Sequence, residues 1–283
     1  LDNEIKYGLG FLYLPNKNPR RAIGGKYKHD IEQLGSSPNA FREDFFFAAL
    51  FRRNPADKLS MTNEYTFYYE HEWFNGLTNQ INLIHKEVIP VGDAKIELYN
   101  ENGDVVEEDN VTTAEIRLDT RLAFDEKFII GDFERTSIGT RYPIINLQYG
   151  YGIPGFLGGE YEYSRLKISV KQWFNVFNLG WSKYIIDVGK TWGKLPYPFL
   201  ELHPGNETFF FDEYAFNLIN YGEFVSDEYL SVFYTHHFDG LFLNHIPLFR
   251  KLKWREVGYV RGVIGTLSEK NKSFNKLPEN MYT

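Results

Sequence analysis

The chain has 283 residues, no cysteine, a net charge of -7 and a mean hydropathy of -0.41. Without cysteine there is no disulfide framework and no thiolate nucleophile or metal ligand. The acidic balance, with no basic run, argues against a nucleic-acid partner.

Aromatic residues make up 18% of the sequence, yet they are spread among polar residues rather than gathered into apolar runs. A membrane-crossing helix needs roughly 20 mostly apolar residues. The most apolar cluster, Phe45–Phe51, is far shorter and is closed off by Glu43, Asp44, Arg52 and Arg53. What recurs instead is alternation with a period of two, which sends successive side chains to opposite faces of a strand.

In chain order, weak alternation predicts strands over Glu4–Leu14 and Ala22–Leu34. A clear one follows: Tyr65, Phe67, Tyr69, His71 and Trp73 share one face, with Thr66, Tyr68, Glu70 and Glu72 on the other. Asn75-Gly76, both tolerant of positive φ, marks a tight hairpin leading into Thr78–Val88. The clearest strand is Val111–Phe124. Ala114, Ile116, Leu118, Leu122 and Phe124 point one way, with Thr120 among them; Glu115, Arg117, Asp119 and Arg121 point the other way. Lys127–Tyr151 reads as one strand bulged at Gly139. In Tyr161–Phe174, Leu166, Ile168 and Val170 oppose Arg165, Lys167, Ser169 and Lys171, and Tyr161, Tyr163 and Trp173 lie near the ends. Trp181–Trp192, Glu228–Phe238 and Trp254–Thr266 bring the total to ten strands.

The connections alternate in length. Pro15–Arg20, Asn75-Gly76, Asp125–Glu126 and Asn175–Asn178 are short; Gly35–Leu59, Ile89–Asn110, Gly152–Gly159 and Gly193–Asp227 are longer. Short turns on the periplasmic side and long loops outside are the pattern of outer-membrane barrels. Asp239–Lys253 is long although it falls on the short side. Its Leu248, Phe249 and Leu252 alternate with Arg250, Lys251 and Lys253, which suggests a segment lying along a membrane–water boundary.

The expected fold is therefore all-β: a single domain over residues 1–283 forming a transmembrane antiparallel up-and-down β-barrel. Glu115, Arg117, Asp119, Arg121, Arg165, Lys167 and Lys171 are expected to face a watery lumen. Ile116, Leu118, Leu166, Ile168 and Val170 are expected to face lipid. Leu1 opens the chain inside a strand-like pattern, so a signal segment is expected upstream. The connection Gly193–Asp227 holds Pro196, Pro198 and Pro204, which resist a continuous strand. It also holds Phe199, Phe209, Phe210, Phe211, Tyr214 and Phe216, too many rings to leave in water, so it is expected to cap or enter the lumen.

From Gly139 onward a series of motifs stands out. Gly139-Thr140-Arg141-Tyr142-Pro143 is followed by Leu195-Pro196-Tyr197-Pro198, then His203-Pro204-Gly205-Asn206. Glu223-Phe224-Val225-Ser226-Asp227, His236-His237-Phe238-Asp239-Gly240 and Asn244-His245-Ile246-Pro247-Leu248 complete it. This run, roughly residues 125–275, resembles a family of bacterial outer-membrane proteins of unassigned function. The resemblance implies a carboxypeptidase-regulatory-like β domain upstream and a barrel akin to the surface-antigen barrels of outer-membrane assembly factors. It also implies about three further wall strands downstream of Thr283; with at least one more before Leu1, the ten become fourteen or more, an even number as single-chain bacterial barrels have. Assembly-factor barrels carry an Arg-Gly-Phe-type motif in a loop folded into the lumen, and Gly193–Asp227 has none.

Candidate chemistry is thin, and no enzymatic activity, metal or cofactor is expected. His236-His237 are adjacent and so point to opposite faces of a strand, as do His71 and its neighbours Glu70 and Glu72. Gly150–Gly159 is glycine-rich but lacks the Lys-Ser/Thr of a phosphate loop. Asp132 and Glu134 have a spacing compatible with acid–base work, a coincidence to be expected among 38 acidic residues. The leading expectation is a non-enzymatic outer-membrane scaffold or conduit handling protein or lipid, with outer-membrane lipid and other proteins of a complex as partners. The alternatives are a channel for small solutes, a barrel-borne hydrolase using a residue such as Ser231 with a histidine, and a soluble β-sandwich.

Overall fold

The alternating segments pair in sequence order, each antiparallel to the one before. The computed structural model of the protein describes residues 5–35, 59–207 and 211–283; the expectations on Phe45–Phe51, Phe209 and Phe210 lie outside them. The strands are β1 (Tyr7–Lys17), β2 (Arg20–Gln33), β3 (Leu59–Phe74), β4 (Leu77–Pro90), β5 (Ile96–Tyr99), β6 (Val105–Glu108), β7 (Val111–Leu122), β8 (Lys127–Ile130) and β9 (Arg135–Gly139). They continue with β10 (Ile144–Gly152), β11 (Tyr163–Asn175), β12 (Trp181–Gly193), β13 (Glu201–Leu202), β14 (Val225–Ser226), β15 (Glu228–His237), β16 (Val257–Thr266) and β17 (Asn275–Lys276). Ten of them form one sheet in the order β1-β2-β3-β4-β7-β10-β11-β12-β15-β16. The fold is all-β and the meander is as expected. The sheet is open: β1 and β16 are its two edges, and its closure into a barrel is not observed.

β1 runs through Pro15 to Lys17, beyond the expected end, because its register with β2 breaks between Tyr13 and Asn16. On an edge strand at such a break, proline removes no ladder hydrogen bond. A larger correction concerns Lys127–Tyr151, which is not one strand. Only Ile144–Gly152 joins the sheet, and β8 and β9 form a separate hairpin. The chain turns at Gly131–Glu134, closed by the Gly131 N–H donating to the Glu134 carbonyl at 2.8 Å. The hairpin is pulled out of the ladder by Arg135, whose guanidinium meets both Glu72 carboxylate oxygens at 2.9 and 3.0 Å.

Register fixes which side chains share a face, because directly opposed residues in an antiparallel pair point the same way. Two neighbouring cross-strand rows share one face: Tyr13, Ile23, Tyr69, Ile81, Leu118, Tyr149 and Leu166 run from β1 to β11, and Leu147, Ile168, Val188, Leu230 and Ile264 run from β10 to β16. This apolar face is open: Leu9 is 74% exposed and Ile264 75%. The opposite face carries the charged and amide side chains, and Glu115, Asn82, Glu72 and Ser231 there are buried. Buried polar groups thus lie on one side and exposed apolar groups on the other.

The hydrophobic core does not run through the sheet. It gathers at the end where the long connections emerge, around Val88, Ile96, Val111, Leu195, Tyr197, Val225, Leu267 and Met281. Here β5, β6 and β17 form a three-stranded sheet, and the described residues between Lys194 and Asp227 fold against it as a cap. Pro196 and Pro198 keep Leu195–Phe199 out of any strand, so this segment's backbone groups need side-chain partners. Two asparagines supply them. Asn271 accepts from the Leu195 N–H at 3.0 Å and donates to the Gly193 carbonyl at 3.2 Å and to Asp227 at 2.8 Å. Asn275 accepts from the Tyr197 N–H at 2.7 Å and donates to the Leu195 carbonyl at 3.0 Å. Asn271 sits in the single helical turn Glu269–Lys272, and Asn275 opens β17 just after it.

Candidate functional site

The charged face and the cap packed on it form the candidate site. On β7, Arg117 Nε lies 3.0 Å from Asp119, and Asn82 on β4 donates to the same carboxylate at 2.8 Å. Glu115 accepts from the Tyr163 hydroxyl of β11 at 2.8 Å, fully out of water. Arg121 binds Glu126 with two parallel bonds of 2.6 and 2.7 Å, the strong fork geometry of a guanidinium on a carboxylate. Burial works to raise the Glu126 carboxyl, but Arg121 and the Ser137 hydroxyl hold it below the usual value.

The β11 cations reach the cap. Arg165 donates to the Phe199 carbonyl at 2.5 Å, and Lys167 meets Glu201 at 3.2 Å. Further along the same face, Lys183 pairs with Glu213 at 2.7 Å and Arg261 donates to the carbonyls of Asp212 and Ala215. Lys171 stands exposed. All seven charged residues singled out by alternation therefore share one face, and Arg165 and Lys167 tie it to the cap. Ile116, Leu118, Leu166, Ile168 and Val170 share the opposite face, where Ile116 and Leu118 are exposed and the other three half-buried.

Rings fill the seam between sheet and cap. Phe216 packs on Phe233 of β15 with ring centroids 4.6 Å apart, and Phe211 on Tyr259 of β16 at 4.4 Å. Two cavities remain on either side of the cap segment. One of about 620 Å³ lies against β2, β3, β4 and β7, lined by Lys26, Glu64, Gln80, Lys86, Arg117 and Phe199. The other, about 530 Å³, lies against β10, β11, β12 and β15, lined by Gln148, Lys167, Asp187, Glu201, His203 and Tyr214. The first is walled mainly by polar groups, and a space of that size and polarity holds water; the second mixes polar side chains with Tyr214, Phe216, Tyr229 and Phe233.

The histidines do not converge on a metal. His236 bonds Ser182 Oγ at 2.7 Å, while His237 stacks on Trp181 at 3.7 Å between centroids. His71 bonds the Tyr69 hydroxyl at 2.9 Å. Among the described residues no three His, Asp or Glu side chains form a metal-holding group. Asp132 is exposed and meets Lys17 at 3.3 Å. Ser231 is buried on the charged face. Among the described residues the closest Ser–His pair is instead Ser226 Oγ and His203 Nε2, 2.6 Å apart and both buried. Gly265 of β16 lies directly over it: a Cβ there would sit 2.8 Å from Ser226 Oγ and 3.3 Å from His203 Nε2. A hydroxyl so covered is a packing contact, not a nucleophile open to a substrate. Burial lowers the proton affinity of His203, Glu201 opposing and Lys167 reinforcing that effect.

Alternation along single strands misses Arg261, Tyr229, Asn271 and Asn275, which bind the cap from sheet and C-terminal segment. Of these only Tyr229 leaves a trace in sequence, as glycine on the charged-face parity. Gly152 and Gly189 stand opposite Tyr163 and Tyr229, and a Cβ at either would lie within 2.2 Å of the ring.

These features define an all-β protein built on one long antiparallel meander with a polar, capped face. The C-terminal domain of a family of unknown function, DUF5686, matches residues 3–270, and the chain belongs to that family. A comparison with curated proteins finds no match.

Proposed function

We propose that this chain forms wall strands of a bacterial outer-membrane β-barrel and acts as a non-enzymatic scaffold or conduit in protein or lipid handling at the cell surface. One observation carries the reading: the inverted polarity of the sheet. A largely exposed apolar face extends across all ten strands, while charged and amide side chains are turned inward under the cap. A water-soluble protein rarely leaves so large an apolar surface open. In a bilayer that surface meets hydrocarbon, and the charged face lines the lumen. Arg165, Lys167 and Arg261 then hold the Lys194–Asp227 segment inside the wall as a plug.

The absence of native cysteine permits a direct test. Single cysteines at residues 115 to 122 of the full chain, reconstituted in lipid vesicles, should react with a water-soluble maleimide at Arg117, Asp119 and Arg121. They should be protected at Ile116, Leu118 and Thr120. Uniform reactivity along β7 would overturn the bilayer reading.

The second reading, a channel for small solutes, is favoured by the two cavities beside the plug, one of them polar. It differs in requiring them to join across the wall, which a conductance measurement decides.

A further inference from the structure

The segment joining β15 to β16 lies at the short-turn end, and its chemistry is unlike that of the other turns. Phe238–Leu241 begins it as a tight turn. Leu243–His245 and the short helix Pro247–Lys251 follow, with the helix N-cap at Ile246 and proline in its first turn. Phe242, Ile246, Leu248, Leu252 and Trp254 are all exposed. Phe249 stacks on Trp254 with ring centroids 5.1 Å apart and nearly parallel planes, which fixes the return of the chain. On the adjacent β11–β12 turn, bonded to this end through Leu179 O and His236 at 3.0 Å, Phe177 is 98% exposed.

Arg250, Lys251, Lys253 and Arg255 are interleaved with these apolar groups, and all four are exposed. Of the segment's acids, Asp239 is exposed at its start, and Glu256 is turned back onto the N–H groups of Phe242, at 2.8 Å, and Leu243, so four exposed cations face one exposed acid. The outward surface is therefore basic and apolar, in a chain whose net charge is -7. It is also continuous with the apolar face, since β16 leads from Trp254 to Val260 and Ile264, both exposed on that face.

We propose that this segment lies in the headgroup layer of an anionic phospholipid leaflet, with the apolar side chains in the acyl boundary and the four cations on phosphates. An amphipathic segment binds such a surface by apolar burial and electrostatic attraction together, and each basic residue contributes through the negative surface potential. Position selects lipid over a protein partner: a wall segment at the rim of a membrane-embedded sheet meets headgroups first. The inference rests on the bilayer reading above, and its test separates the two.

The full chain with L248C, labelled with a polarity-sensitive fluorophore, is compared with L118C in vesicles of phosphatidylcholine alone and with added phosphatidylglycerol. The expected result is that both vesicle types shield the 118 label from iodide. The 248 label is shielded only with phosphatidylglycerol. That shielding is lost at 1 M salt, where the Debye length is about 3 Å, and in R250E/K251E/K253E, whose 118 label stays shielded. A 248 label open to iodide in both vesicles, or shielded equally in both, overturns the proposal while the 118 label still reports an embedded wall. A 118 label open to iodide overturns both readings.

Discussion

The ring of Tyr229 fills the space a side chain would take at Gly189, its directly opposed partner on β12. A Cβ at Gly189 would lie 2.2 Å from Tyr229 Cε1. From that position the ring meets His203 of the cap edge-on at 5.2 Å, and Lys167 Nζ lies 5.7 Å from its centre. One missing methyl group thus sets where the cap rests on the sheet. Gly189→Ala should cost about 1–3 kcal/mol, the usual penalty of overpacking. Gly262→Ala, where a Cβ meets nothing within 4 Å, should cost almost nothing. Denaturant midpoints of the refolded protein in detergent compare the two, and equal midpoints would contradict the role given to this pair.

Asn271 satisfies a buried N–H, a carbonyl and the Asp227 carboxylate together. Asn271→Ala leaves these groups without that partner, at about 1–3 kcal/mol for each unmet group. Proteolysis should then cut between Leu195 and Tyr221 faster than in the unaltered protein, while the wall strands keep their protection. Unchanged cleavage would mean the cap is held from elsewhere.

Ile168 and Lys167 are neighbours on β11 that face opposite ways. Arginine at Ile168 should cost roughly 2–4 kcal/mol near the bilayer midplane, whereas Lys167→Arg keeps a cation on the charged face and should be nearly silent. Folding titrations in vesicles measure both. A silent Ile168→Arg would remove the case for lipid on that face.

Deleting Leu195–Tyr221 removes the cap segment held by Arg165, Lys167 and Arg261. If it occludes a lumen, single-channel conductance in planar bilayers should rise and cells should become sensitive to bulky antibiotics. Conductance unchanged by the deletion would rule out a plug and favour docking of those rings on another protein.

His203 titrates in a predictable direction. Burial keeps the ring neutral in the folded protein, while the unfolded chain takes up a proton near pH 6.5. A depressed pKa means that this contribution to stability is complete above about pH 6.5 and is lost as pH falls through the folded value. His203→Gln should flatten that acid-side decline in a pH series of denaturant midpoints. A decline of the same slope in the variant would assign it to other groups.

The ten-stranded sheet was legible in the sequence because a strand with one polar and one apolar face writes its geometry into every second residue. Glu115 to Arg121 and Arg165 to Lys171 were readable for that reason. The β8–β9 hairpin was not, since Lys127–Tyr151 alternates well enough to pass for one strand. What removes it from the ladder is Arg135 meeting Glu72, a pair 63 residues apart. The cap was half legible. Its rings and prolines announced a segment that must be covered, but its anchors are backbone carbonyls and two asparagines, which carry no periodic signal. Nor does any one strand reveal that Tyr163 and Tyr229 need glycine opposite them, since that is a property of the pairing.

The placement of the hydrophobic core bears on the order in which the chain assembles. Lys276 of β17 meets Glu97 of β5 across 179 residues of sequence, and Tyr197 bonds the Lys95 carbonyl across 102. Contacts of such separation carry a large loop-closure entropy, which intervening pairing reduces by shortening the effective loop. The meander pairs neighbours in sequence order from β1 to β16, so each hairpin forms locally, and only a completed ladder brings β5, Leu195 and Asn275 within reach of one another. The apolar cluster at the long-connection end therefore closes last, as a checkpoint on the strands before it. A misregistered strand anywhere between β4 and β16 leaves that cluster open to water, where a protease or a chaperone can find it.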